Sequence, residues 1–413
     1  MQNYQKQMTI TEIRSQFPIL DTRVYGKTLV YLDNAATAQR PQAVVDCWKG
    51  LVEGSNANIH RAVHSLAAQA TEAYEGARDR VKTFINASAR EEIIFTSGAT
   101  ASINLVASSY GQLFVNQGDD VVVTVCEHHS NIVPWQLLCE RKGAVLKVLD
   151  VEEDGRLNPE ILKKLLTART KIVAIAHISN VLGVVNPVKE LVSVCHAAGV
   201  PVLVDGSQGI VHEKVDVQDL DCDFYAFSGH KIYAATGTGV LYGKRKWLDS
   251  MPPYMGGGEM IETVRFSGTT YAPLPMKFEA GTQNFNAVPT LVPALDFAES
   301  ARENPEVQAE QKAILDYIYT QLTQDNRIVL YGTCPEAKIP VFSFAVKGAH
   351  HEDLALILDK MGVAVRSGQM CAEPLMDHLG VTGLLRASFA PYNTLDEAKY
   401  FITSLLRAIE MLQ

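Results

Sequence analysis

Between about residues 80 and 245 the chain alternates short β-branched runs with amphipathic segments, and this rhythm constrains its fold more than any other feature. Strand-like runs fall at residues 93–96, 120–125, 144–149, 172–177, 200–205, 224–228 and 239–242. Helical patterns at 101–109, 133–142 and 188–198 lie between them. A parallel strand pair needs a long crossover, usually a helix, so this order calls for an α/β fold: a mostly parallel seven-stranded sheet covered by helices. The large domain is placed at residues 28–285. Residues 256–258 read as a flexible loop and residues 271–289 as a long irregular connection. Beyond them come a helical pattern from residue 290, broken at Asn304-Pro305, strands at 341–346 and 363–366 with a helix at 351–360 between, and a closing helix at 395–412. This second αβ unit, a smaller C-terminal domain, is assigned residues 286–413 together with 1–27, whose first helix is expected at 11–16.

Composition narrows the function classes. A chain of 413 residues is too long for one simple core. The formal net charge of -9 gives no basic footprint for nucleic acid. No apolar run approaches the ~20 residues that span a bilayer, and residues 1–10 are polar, so no membrane association and a cytoplasmic location are expected. The seven cysteines (Cys47, Cys126, Cys139, Cys195, Cys222, Cys334 and Cys371) are scattered, odd in number and never spaced as Cys-x-x-Cys. Neither a disulfide framework nor a zinc site is expected, and most of them read as small buried hydrophobes.

Five segments could carry chemistry. Ser228-Gly229-His230-Lys231 follows an apolar strand, and open α/β sheets bind ligands beyond the carboxyl ends of their strands. A lysine there can form an imine if burial frees its amine; otherwise it is a surface lysine. Asp205, in Leu203-Val204-Asp205-Gly206-Ser207-Gln208, also ends a strand. It either keeps a pyridine nitrogen protonated or caps a helix. Thr96-Ser97-Gly98-Ala99-Thr100 leads from a strand into a helix, a turn whose N–H groups suit a phosphate. Glu127-His128-His129-Ser130-Asn131 offers a histidine that could stack on a planar ring; a metal is the alternative, but no cluster with ligand spacing accompanies the pair. Finally, Cys371 lies in a Gly- and Pro-bounded loop, unlike the other six, and could act as a nucleophile with Arg366 and Arg386 nearby. Arg386, among apolar residues, suits either an amino-acid carboxylate or an internal salt bridge.

Together these segments resemble the cysteine desulfurases of the fold-type I pyridoxal-phosphate enzymes, within the class V aminotransferase family, and specifically the group that includes SufS and CsdA. The resemblance covers nearly the whole chain, from Tyr31-Leu32-Asp33-Asn34-Ala35-Ala36-Thr37 and Asn58-Ile59-His60-Arg61 to Glu279-Ala280-Gly281-Thr282 and Cys371-Ala372-Glu373-Pro374-Leu375. It implies that Lys231 holds pyridoxal 5'-phosphate, Asp205 pairs with the pyridinium, Gln208 reaches the ring hydroxyl and His128 stacks on the ring. Thr100, Ser228 and His230 would hold the phosphate beside Ala99, with Thr282 arriving from the partner of a homodimer. Asn180 and Arg386 would bind the substrate carboxylate, His60 and Arg61 would line the site, and Cys371 would take the sulfur. L-cysteine would become L-alanine, and the persulfide would pass to an acceptor protein of the SufE or CsdE type, for iron–sulfur cluster assembly or a related use. Selenocysteine lyase activity is a side reaction this chemistry allows.

The chain departs from the family pattern at Ala99, where Thr is common, at Met370, where His is common before the cysteine, and at Gln283, where Pro is usual. These departures bear on rate and on the thiol. Two other readings stand beside this one: a class V aminotransferase or lyase in which Cys371 is incidental, and a non-catalytic scaffold that kept the fold.

Overall fold

The computed structural model describes residues 8–413. Its larger sheet holds seven strands: β1 (Ile93–Thr96), β2 (Asp120–Thr124), β3 (Val145–Leu149), β4 (Thr170–Ala176), β5 (Val202–Asp205), β6 (Phe224–Ser228) and β7 (Gly239–Gly243), in the order β1-β7-β6-β5-β4-β2-β3. All pairs are parallel except those made by β7, which runs against both β1 and β6. The sheet and class expected from the sequence are therefore present. Strands β5, β6 and β7 are buried at every residue, as a sheet covered on both faces requires. The edge strand β3 is the exception and exposes Val145 and Val148. Its Lys147 pairs with Asp120 at 2.8 Å, and a charge of this kind discourages pairing with another chain.

The second unit is an antiparallel sheet of β8 (Ile328–Tyr331), β9 (Val341–Val346), β10 (Arg366–Gly368) and β11 (Leu384–Ser388), ordered β8-β9-β11-β10. Phe342, Phe344, Leu385, Leu322, Phe401 and Leu405 form its core with Val30 and Leu32. Each such side chain contributes about 1.5–3 kcal/mol by leaving water. The strand expected at 363–366 is two pieces. Val363–Ala364 pairs in parallel with Val30–Tyr31, and after Val365 the chain turns to put Arg366 opposite Arg386. The short strands β8 and β11, the helices Gln42–Gly54 and Ser65–Phe84, and an exposed hairpin of Ile261–Arg265 and Gly268–Tyr271 were not expected from the pattern. The hairpin narrows the irregular connection to the residues after Tyr271.

Capping explains the helix boundaries that were expected. Asn304 ends Leu291–Glu303 and accepts N–H bonds from Glu306 and Val307, while Pro305 occupies the first position of Pro305–Gln324. Thr394 and Glu397 form a reciprocal capping box at the start of Leu395–Leu412. The first helix, Ile10–Arg14, docks on the second unit: Ile10 N donates to Glu306 and Arg14 pairs with Glu397 at 2.7 Å. Among the described residues, no helix is long and apolar enough to cross a membrane, and no group of three or more His, Cys, Asp or Glu is arranged to hold a metal ion.

Candidate active site

The strand ends of the large sheet meet the second unit at a cavity of about 150 Å³. From the sheet come Ala99, Thr100, His128, Asn180, Asp205, Ser228, His230 and Lys231; from the other unit come Arg366, Met370, Cys371 and Arg386. A larger opening of about 630 Å³, lined by Glu152, Arg156, Glu213 and Lys338, shares no residue with it and lacks this convergence.

Lys231 ends the tight turn Gly229–Lys231 that follows β6. Among the described residues its amine has no hydrogen-bond partner. Burial lowers its pKa; the Arg386 and Arg366 charges push the same way, against Asp205 and Cys371. An amine in this setting is freer to act as nucleophile or base than a surface lysine. Asp205, at the end of β5, is buried and accepts from Ser207 N at 2.9 Å.

The turn after β1 opens the helix Ala99–Phe114. Ala99 N donates to Ser228 Oγ at 2.8 Å. The next N–H groups of this first turn have no partner within the helix, so they form a cradle for an anion. The cradle is tightly set, since a side chain on Gly239 of β7 would run into the backbone of Gly98. His230 Nδ1 lies 3.2 Å from Thr37 Oγ1, and burial pushes its pKa down to about 4.

His128 caps a short turn beyond β2. Its Nδ1 accepts from Ser130 N at 3.1 Å and lies 2.8 Å from Ser130 Oγ, which places the proton of the neutral ring on Nε2. Burial, then the Lys231 charge, hold its pKa down at about 4, so the ring is neutral near pH 7. Beneath it, Glu127 accepts from Thr124 Oγ1 and Asn131 Nδ2 (both 2.6 Å) and from Ala176 N (2.8 Å), fixing the turn to two strands. Burial raises the pKa of this carboxyl to about 8.

Arg386 lies in β11 and is almost wholly buried. One terminal nitrogen donates to Asn180 O at 2.9 Å and the other to Asp33 Oδ1 at 3.1 Å, while its Nε is buried without a partner among the described residues. Burial lowers its pKa, and Asp33 opposes that shift. A buried guanidinium with donors to spare suits a carboxylate ligand. Cys371 is exposed, whereas five of the other cysteines are buried and Cys47 is half-buried. Its loop is tied down: Asn180 Nδ2 donates to Met370 O at 2.9 Å, His129 N to Cys371 O at 2.7 Å, and Glu373 N to His129 Nε2 at 3.0 Å.

Four expected residues do not line this cavity within one chain. Gln208 donates its amide to Ala35 O at 2.7 Å. His60 contacts Glu75 at 3.1 Å, Arg61 pairs with Glu259 at 2.7 Å, and Thr282 borders a separate cavity with Tyr254 and Phe278. Sequence patterns did not single out Asp33, Glu127 or His129 for a role; each stands inside a quoted motif, but its partners come from distant segments.

The family model described as aminotransferase class-V matches residues 30–401. A protein named probable cysteine desulfurase from Vibrio cholerae serotype O1 is 45% identical over 405 residues, covering 98% of this chain and all of its own. A cysteine desulfurase of Pectobacterium atrosepticum is 46% identical, covering 98% of both chains. Among solved structures, the cysteine desulfurase CsdA of Escherichia coli, in an S-sulfonic acid form, superposes with a TM-score of 0.90 at 38% identity over 98% of this chain and 100% of that one. The apo cysteine desulfurase of Thermococcus onnurineus NA1 gives 0.92 at 34% identity, with 98% and 99% covered.

Proposed function

The chain belongs to the class-V aminotransferase family, and on that premise we propose that it is a pyridoxal-phosphate cysteine desulfurase that converts L-cysteine to L-alanine and leaves the sulfur on Cys371. The observation that carries this reading is that a buried lysine amine, a buried aspartate, a buried arginine and the exposed Cys371 share one cavity.

The donor set fits the cofactor. The first-turn N–H groups at Thr100, with Ser228 and His230, form the phosphate cradle; Lys231 is the covalent anchor and Asp205 the partner of the ring nitrogen. Bound pyridoxal phosphate supplies an electron-accepting ring that stabilises negative charge at the substrate Cα. Arg386, seconded by Asn180, binds the substrate carboxylate and so fixes which Cα bond faces Lys231. The Lys231 amine, its pKa lowered by burial in the same cavity, would be the base that takes the Cα proton. His128 lines the same cavity and would stack on the ring, and its Nε2–H is available for exchange with a thiol.

Cys371 attacks as thiolate, so access and thiolate fraction govern the step. Its electron pair forms the new S–S bond, the substrate Cβ–S bond breaks, and that pair stays with the three-carbon fragment, which gains a proton at Cβ and regains the one Lys231 took from Cα to become alanine. Overall, L-cysteine and the thiol give L-alanine and the persulfide, with no outside oxidant. The persulfide then passes to an acceptor protein of the SufE or CsdE type, feeding iron–sulfur assembly or a related route. Selenocysteine lyase activity is part of the proposal, since selenium leaves more readily than sulfur.

A homodimer is proposed in which Thr282 reaches the partner's phosphate. Its support is that Thr282 stays outside its own cavity, while Val45, Trp48 and Val52 expose one stripe of the helix Gln42–Gly54 and Phe266 stands fully exposed on the hairpin. A monomer by light scattering at micromolar concentration contradicts it. The deciding experiment for the activity is mass spectrometry of the Cys371 peptide after exposure to L-cysteine. A gain of one sulfur is expected; alanine formation with that peptide unmodified refutes the role of the thiol.

A further inference from the structure

We propose that His129, the second histidine of the pair, is a positioning residue for the sulfur-accepting thiol. The inference rests on Cys371 being that acceptor. His129 brackets the cysteine with two long-range hydrogen bonds: its backbone N–H donates to Cys371 O at 2.7 Å, and its ring Nε2 accepts from Glu373 N, 244 positions away, at 3.0 Å. Nε2 can accept only in a neutral ring whose proton is on Nδ1, the opposite tautomer from the one Ser130 imposes on His128. The two adjacent histidines thus divide the work. His128 lines the cavity, whereas His129 does not and faces the loop.

The loop needs such a brace. Met370 and Cys371 both adopt left-handed backbone, with φ of 56° and 55°. L-residues adopt that conformation at a cost, and it persists only where surroundings over-determine it. Asn180 holds Met370 O from one side, while within the loop Ala372 N donates to Gln369 O and Gln369 Nε2 to Glu373 Oε1 at 3.1 Å; the His129 ring adds the tie that fastens the C-terminal side of the loop to the large sheet. Without it, the residues flanking Cys371 can leave the left-handed region, and Sγ loses its approach to the substrate sulfur. His129 takes no part in the bond changes at sulfur and sets only where the thiolate stands.

The test separates the step at Cα from the step at sulfur. Holoenzyme is mixed with L-cysteine; the visible spectrum tracks the first, and quenched samples analysed by mass spectrometry track persulfide on Cys371. For His129→Ala, loss of one hydrogen bond is expected to slow persulfide formation about tenfold, with the initial spectral change within about twofold of the parent. His129→Gln, whose amide oxygen can fall near the Nε2 position, is expected to restore persulfide formation to within about threefold. Parent-like persulfide formation in His129→Ala overturns the inference, as does equal slowing of both phases or a His129→Gln variant no better than the alanine. If His129→Ala does not fold, His129→Met, of similar bulk and without a strong acceptor, takes its place. Full turnover by Cys371→Ala, measured alongside, instead removes the reading on which the inference stands.

Discussion

Replacing Arg386 by lysine keeps a positive charge in the pocket and removes the fork, which makes its effect calculable. A guanidinium carries five N–H donors. Two are committed, to Asn180 O and Asp33 Oδ1, and three remain, including the buried and unpartnered Nε–H. A two-pronged grip on a carboxylate uses two of those three. Lysine has three donors on one atom and must satisfy Asn180 and Asp33 from it, so at least one charge-assisted bond to the ligand is lost, at about 1.5–3 kcal/mol. That corresponds to about a 10- to 100-fold rise in KM for L-cysteine. The carboxylate is gripped equally before and during reaction, so kcat should stay within about threefold. The bound cofactor's visible spectrum should be unchanged, because lysine keeps the positive charge that acts on Lys231 and the phosphate cradle is built from other residues. Steady-state alanine production across a range of L-cysteine concentrations measures both parameters. A KM within about threefold of the parent, or a fall in kcat at unchanged KM, refutes the assignment of Arg386 to the carboxylate.

The remaining predictions concern the anchor, the thiol, acid stability and the buried ion pair. Lys231→Ala should lose the visible band of bound cofactor after dialysis; an unchanged spectrum argues against Lys231 as anchor. Cys371→Ala should keep that band and lose turnover with L-cysteine, which an alanine assay reads directly. His177 is buried beside Tyr225 OH at 3.0 Å, and burial depresses its pKa to about 4. The unfolded chain takes up this proton as pH falls through about 6.5 while the native state does not, so stability is lost between about pH 6.5 and 4, by roughly 3 kcal/mol in all. Urea unfolding at pH 7 and pH 5 should show a loss to which His128, His212 and His230, depressed in the same way, also contribute, and His177→Asn should make the slope shallower by one group's share; an unaltered pH slope counts against it. Arg78 and Glu279 form a fully buried pair at 2.7 Å that also serves Phe95 N and Tyr74 OH. Glu279→Ala leaves Arg78 with Glu75 and Ile93 O and removes the acceptor of Phe95 N and Tyr74 OH, so it should cost about 2–4 kcal/mol in urea unfolding, and a loss under about 1 kcal/mol contradicts the argument.

The large sheet was legible because its strands advertise themselves: buried on both faces, they read as unbroken β-branched runs between helical segments. Residues 133–142 and 351–360 matched their helices end to end, since apolar periodicity and end signals agreed there. The strands β8 and β11 were missed for the opposite reason. β11 carries Arg386 among buried apolar residues, and β8 alternates weakly over only four residues. The helix Gln42–Gly54 exposes Val45, Trp48 and Val52, so its pattern is not that of a helix with one buried face. At the site, each strand-end residue could be picked out because strand ends are visible in sequence. The partners of those residues could not, because Asp33 with Arg386, Asn180 with Met370 and His129 with Glu373 meet only after the two units close on each other.

The pairing of Val30–Tyr31 with Val363–Ala364 has a consequence for the order in which the molecule is made. Val30 N and Leu32 N bond to Gly362 O and Ala364 O, and Ser388 N bonds to Leu32 O. An early stretch of chain must therefore wait, unpaired, while every strand of the larger sheet leaves the ribosome ahead of its partner. Asp33 comes directly after that stretch and Arg386 shortly before Ser388, so the carboxylate grip is among the last pieces a growing chain can assemble. A nascent chain halted short of β11 would already own its lysine and its phosphate cradle while having nothing to hold an amino acid in register.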